Sequence, residues 1–161
     1  MKEAQDYTLV DYNNIVKQFH DEPDGSAAIL AACITERFSE KLLRRFLREH
    51  PHTDSLFKGY GPLSTFSARC NVAYALGIID DVMHRDLHFI RKVRNCFAHH
   101  PDEAGFDESP VKDLCQKLST NQLGAGARDS FLFAIGLTVG QMHNIILKRD
   151  NQEANKSPKS R

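Results

Sequence analysis

Apolar residues recur along this chain at intervals of three and four, segment after segment, and almost never at alternate positions. The first spacing puts side chains on one face of an α-helix; the second would mark half-buried strands. Residues 3–20 align Leu9, Tyr12, Val16 and Phe19 on one stripe. DEPDGS at 21–26 is a turn, with Asp24 or Ser26 placed to cap a helix over 26–49 whose ridge is Ile34, Phe38, Leu42 and Phe46. HPHTD at 50–54 breaks that helix, and Pro62 suits the first turn of another that ends at Gly77. The latter is apolar on two faces (Leu63, Phe66, Cys70, Ala73 and Tyr74 against Val72 and Leu76), as expected of a helix inside a bundle. Asp80 or Asp81 caps the following helix, Ser109-Pro110 starts a short one reaching Leu118, and 128–149 carries Phe131, Ile135, Thr138, Met142 and Ile145. The pattern predicts an all-α fold, one bundle of six or seven helices over residues 1–150, with 151–161 a disordered polar tail.

Composition narrows the function classes. The 21 basic and 21 acidic residues cancel. A domain that coats DNA or RNA needs a basic excess for phosphate neutralisation, so nucleic-acid contact here has to be local or indirect. Arg37, Lys41, Arg44 and Arg48 do form a basic stripe at helical spacing, but Glu36, Glu40 and Glu49 lie beside it, which reads as a solvated face. Cys33, Cys70, Cys96 and Cys115 make no paired motif and sit in apolar or amphipathic runs, as reduced core thiols do. No apolar stretch looks long enough for a membrane span, and the first residues lack a signal-peptide core, so a cytoplasmic protein is expected. Gly124 and Gly126 follow no strand, which argues against a phosphate-binding glycine loop.

The chemistry concentrates in RDLHFIRKVRNCFAHH, residues 85–100. On a wheel of about 100° per residue, Leu87, Ile90, Val93 and Phe97 form the buried stripe, and Asp86 and Arg94 fall within about 40° of Ile90. A buried guanidinium needs a partner, so Arg94 and Asp86 are expected to form a structural charge pair, with Asp107 as another partner for Arg94. The opposite face presents His88, Arg91, Asn95 and His99, followed by His100: candidates for binding a partner or a phosphate. His84 and His88 are one turn apart, but no carboxylate or thiolate at matching spacing completes a metal site, and neither metal nor cofactor is expected.

Residues 61–107 closely resemble the mannitol operon repressor family. The likeness rests on the Gly-Pro-Leu-Ser-x-Phe-Ser-x-Arg opening, the Ala-Tyr-Ala-Leu-Gly helix end, and Arg-Asn-x-Phe-Ala-His followed by Gly-Phe-Asp. It implies an all-α protein, a homodimer, that represses a sugar-alcohol operon through a protein partner. No helix-turn-helix or basic recognition helix is visible. A looser resemblance, through Arg94–His99 as an Arg-x(4–6)-His motif, is to the HEPN superfamily of helical bundles, many of them metal-independent ribonucleases. That alternative implies RNA as partner, His99 moving the ribose 2′-OH proton, Arg94 stabilising phosphorane charge and Asn95 positioning the phosphate. Arg94 and His99, about 140° apart on the wheel, would then have to converge across a dimer.

Overall fold

The computed structural model describes residues 17, 19, 21–123 and 126–156. Among them are six α-helices and one 3₁₀ turn, and no strand: α1 (Asp24–Arg44), α2 (Pro51–Phe57), α3 (Phe66–Ala75), α4 (Asp81–His99), α5 (Val111–Cys115), the 3₁₀ turn Ser119–Leu123, and α6 (Ala127–Lys156). The expected all-α bundle is what forms. Of the stripe expected over residues 3–20, Leu9, Tyr12 and Val16 lie outside the described residues, while Phe19 is buried in the core.

α1 runs through the middle, packing on α3, α4 and α6. Its first half buries Ala27, Ala28, Ala31 and Ala32, whose small side chains let neighbouring helices approach closely; Phe38, Leu42 and Leu43 fill the second half. The ridge read from the pattern is thus half right, since Ile34 and Phe46 are only partly buried. The alanines widen the buried face without announcing it. The helix also stops at Arg44 rather than at residue 49, and its N-cap is Pro23, with no side-chain cap. Asp24 sits in the first turn instead, where its carboxylate accepts from the Phe106 N–H (3.3 Å) and pairs with Arg128. One carboxylate therefore joins the start of α1, the loop after α4 and the start of α6.

Thr65, not the region of Pro62, starts α3: its hydroxyl accepts from the Ala68 N–H at 3.2 Å. The helix closes at Gly77, as read from the sequence. Gly77, at φ +67°, returns its N–H to Tyr74 O (2.9 Å), and Ile78 returns its own to Ala73 O (2.9 Å). This double closure needs a left-handed residue, and glycine adopts that conformation without a Cβ penalty. Asp80 caps α4 by accepting from the Met83 N–H at 2.8 Å. Pro110 rather than Ser109 precedes α5, and Ser109 donates instead to Asp113 at 2.6 Å.

α6 is 30 residues long, about 45 Å. It runs on through 151–156, so that part of the expected tail is helical; residues 157–161 lie outside the described residues. Contrary to the expectation of no span-length apolar stretch, Ala127–Asn155 is long and apolar enough to cross a membrane by length and composition alone. Half of its most apolar window is buried within the bundle. The loop after α4 is pinned by an aromatic chain in which Phe106 lies 5.1 Å from Phe97 and 5.5 Å from Phe131, ring centre to ring centre. Phe106→Ala should therefore cost about 3–5 kcal/mol in urea unfolding, the usual toll of removing a buried phenyl from a core.

Candidate functional site

The polar chemistry of α4 rests on its apolar stripe. Met83, Leu87, Ile90, Val93 and Phe97 are all buried, as the periodicity predicts for the last four. Asp86, 1% exposed among them, is fully engaged: one carboxylate oxygen accepts from the Ser119 N–H (3.0 Å) and the other from the Ser119 hydroxyl. It anchors the 3₁₀ turn to α4. Arg94 pairs with Glu36 of α1 through Nη2 and Oε1. The expected Arg94–Asp86 pair does not form, because each residue reaches outward to a different neighbouring element, eight positions apart along one helix. Asp107 is not the partner of Arg94 either.

Beside that pair lies a residue whose importance sequence reasoning missed. Arg69 of α3 is 6% exposed. Its Nε donates to Ser39 Oγ (3.1 Å), its Nη1 donates to the carbonyls of Leu63 (3.2 Å) and Ser64 (3.1 Å), and Glu40 Oε2 stands 4.0 Å away. Ser39 in turn donates to Glu36 O at 2.6 Å. Glu36, Ser39 and Glu40 thus form a polar seam on α1 that receives Arg94 from α4 and Arg69 from α3. The available signal was an arginine on an apolar face, between Phe66, Cys70 and Ala73.

With Arg94 turned toward α1, the outward strip of α4 is left to His88, Arg91, Asn95 and His99, with His100 capping the helix. His88, His99 and His100 are exposed; Arg91 and Asn95 are half-buried. The side chains of Arg91, Asn95, His99 and His100 make no hydrogen bond or ion pair with any described residue. Arg94 and His99 do not converge: one points to Glu36, the other to solvent. The notch between α3 and α4 lined by Ser67, Cys70, Asn71, His84, His88 and Arg91 holds only about 20 Å³, room for a water and not for a substrate.

The histidines differ in setting. His84 stacks on Tyr74 (4.6 Å) and its Nε2 lies 2.9 Å from Asn71 Oδ1, while Tyr74 donates to Asp81 at 2.6 Å, which raises the phenol pKa. Among the described residues no three His, Cys, Asp or Glu side chains converge as metal ligands. Desolvation first, and then the charges of Lys92, Arg91 and His84, lower the His88 pKa from 6.5. Burial pushes the Cys70 and Cys115 thiols up to about 12, so both are inert core groups. Cys33, also expected in the core, is exposed on α1.

Lys41, Arg44 and Arg48 of the basic stripe line an open cleft of about 540 Å³ with Arg45, His50 and Asp54. Arg44 is bound to Glu40 (2.9 Å) and Asp54 (2.6 Å) and stacks on Phe57 (4.2 Å), and Arg45 lies 3.3 Å from Asp150. Arg44 of the stripe, and Arg45 beside it, are thus matched within the fold.

Comparison with known proteins gives this arrangement its context. The family model described as mannitol repressor matches residues 13–128. The fold is similar to a chain in the X-ray structure of the MtlR–HPr complex from Escherichia coli, at a TM-score of 0.67 and 16% identity, over 81% of this chain and 97% of that one. It is also similar to YggD from Shigella flexneri 2a, a possible transcriptional regulator, at a TM-score of 0.60 and 15% identity, over 88% and 99% of the two chains. No curated protein matches the sequence.

Two outcomes are expected from the geometry. Arg69→Leu should cost about 3 kcal/mol or more in denaturant unfolding, because Ser39 and two carbonyls lose a buried donor, and Arg69→Lys should recover only part of it, an ammonium being unable to span that fork. In an NMR titration His88 should protonate below pH 6.5, and Lys92→Gln should move its midpoint upward. Because the folded-state pKa is the lower one, His88 contributes a loss of stability that develops as pH falls through 6.5 towards that midpoint, and contributes nothing well above 6.5.

Proposed function

The chain belongs to the mannitol repressor family, and on that premise we propose that it represses a mannitol or related sugar-alcohol operon by binding another protein, without a DNA-reading module of its own. The observation that carries the reading is the outward strip of α4. Its cationic and amide side chains are held on a rigid helix, unspent by internal bonds, beside a notch too small for a substrate. Exposed polar groups positioned by a buried stripe suit recognition of a protein surface, where arginine and histidine supply directional donors. The Escherichia coli structure holds its chain in a complex with HPr, and that supports a protein partner for this chain as well. A repressor acts beside the genome, so a cytoplasmic location is part of the same proposal.

The strip residues divide the task. Arg91 offers a planar fork to a carboxylate or phosphate on the partner. His88, its pKa lowered by desolvation first and then by its cationic neighbours, accepts or donates a single hydrogen bond. Asn95 and His99 extend the surface to the helix end. Engagement of Arg94 by Glu36 favours a structural role for that residue over phosphorane stabilisation, which weighs against the ribonuclease alternative.

Deletion of the gene should raise expression of polyol-uptake genes. The wild-type chain should restore repression in that strain, and a folded Arg91→Glu variant should not. Unchanged expression in the deletion strain would contradict the regulatory role, and full repression by Arg91→Glu would contradict the assignment of the strip.

A further inference from the structure

Where α1 ends and α2 begins, the chain folds around the open cleft of about 540 Å³, a volume in the range of small-molecule sites. Its lining carries four cations, Lys41, Arg44, Arg45 and Arg48, against two carboxylates, Glu49 and Asp54. Cations at a helix C-terminus ordinarily serve the negative end of its dipole, a field that fades within the last turn. That accounts for Lys41 and Arg44, the basic residues of the last turn of α1. It does not account for Arg48, four residues beyond the helix end. Arg48 is exposed, and its side chain makes no hydrogen bond or ion pair with any described residue. Glu36, which in the sequence looks like a counter-charge to the stripe, is engaged by Arg94 of α4.

We infer that this cleft binds a small phosphate monoester with a polar, hydroxyl-bearing body. Its donors are held in place before any ligand arrives. Arg44 is fixed by Glu40 through Nε (2.9 Å), by Asp54 through Nη1 (2.6 Å) and by the Phe57 ring 4.2 Å from its guanidinium carbon. Its Nη2 is left without a hydrogen bond to a described residue. Arg45 meets Asp150 through Nε (3.3 Å), which leaves its outer nitrogens for the cleft. The loop that carries Arg48 and His50 is tied down twice. The Thr53 hydroxyl donates to Arg48 O (2.7 Å), and the His52 N–H donates to His50 Nδ1 (3.2 Å). An accepting Nδ1 puts the ring proton of the neutral imidazole on Nε2, so His50 keeps a donor there. Guanidinium forks and an imidazole N–H are the groups that recognise phosphate oxygens.

The same lining limits what the phosphate carries. Pro51 is its one wholly apolar side chain, and the Phe57 ring is taken by Arg44, so an acyl chain or a nucleobase finds no wall to lie against. Glu49 and the second oxygen of Asp54 are acceptors, suited to hydroxyl groups. A nucleic-acid strand fits less well, because those carboxylates repel its continuing phosphates. A monoester also brings more charge to the cations than a diester does, about −1.5 to −2 at pH 7. The cleft belongs to the corner between α1 and α2 and shares no residue with the α4 strip. It therefore stands whether or not that strip binds a protein.

The test titrates the full chain with glycerol 3-phosphate, with inorganic phosphate and glycerol as comparisons, and follows backbone amide shifts by NMR. Glycerol 3-phosphate should bind, inorganic phosphate should bind more weakly, and glycerol should not bind, with the shifts centred on residues 48–54. Arg48→Ala removes a side chain that supports nothing in the fold, so helicity should be unchanged. Its affinity for glycerol 3-phosphate should fall about tenfold or more, as for loss of a charge-assisted hydrogen bond. Lys112→Gln, which removes an exposed cation on α5, should bind as the wild type does. Absence of binding by both phosphates, shifts centred on His88–His100, or equal weakening by Arg48→Ala and Lys112→Gln would each overturn the proposal. So would a single-stranded oligonucleotide that binds through Arg48 more tightly than glycerol 3-phosphate, which would assign the cleft to nucleic acid.

Discussion

Three side chains on one stretch of α1 hold this bundle's polar interior together. Glu36 takes Arg94 from α4, and Ser39 takes the buried Arg69 from α3, while Glu40 lies between Arg69 and Arg44. A guanidinium taken from water without partners would be too costly to retain. Once its donors are satisfied, its planar fork fixes the relative position of the helices it joins. The apolar stripes supply most of the folding free energy, but they would tolerate small slips of one helix along another. The arginine seam specifies which turn of α3 and α4 faces which turn of α1.

That constraint reaches the candidate functional surface. Because Arg94 is drawn to Glu36 and Asp86 to Ser119, the two charges on the buried face of α4 are consumed within the fold. The helix then presents His88, Arg91, Asn95 and His99 along its outward strip. The same Arg-Asn-x-x-x-His block that resembles a catalytic motif is divided by the helix itself, one end locking the bundle and the other facing solvent. On the proposed reading, recognition by side chains on a helix so firmly seated loses little conformational entropy on binding.

What the sequence made legible follows from the range of each interaction. Leu87, Ile90, Val93 and Phe97 were readable because periodicity along one helix is local, and so was the closure at Gly77. The inward direction of Arg94 was readable for the same reason. Its partner was not, because Glu36 lies 58 positions away and several carboxylates had equal claim. The alanine face of α1 escaped notice because alanine suits a core and a surface alike. Asp24 looked like a cap by residue type, but its carboxylate serves Arg128 and Phe106, contacts that arise only when the ends of the bundle meet. The exposure of Cys33 was hidden by its apolar neighbours in sequence.

The seam gives Arg94 an architectural role, and the proposed reading leaves the outer edge of the block for recognition. A double-mutant cycle of Glu36→Gln and Arg94→Ala, read by unfolding free energy beside incubation of each variant with total RNA, tests this most directly. The pair is partly exposed, so each single change should cost about 1 kcal/mol, and the double variant should lose clearly less than the sum. No protein in the cycle should degrade RNA. Additive losses, or RNA cleavage by the wild type that disappears in Arg94→Ala, would contradict the account.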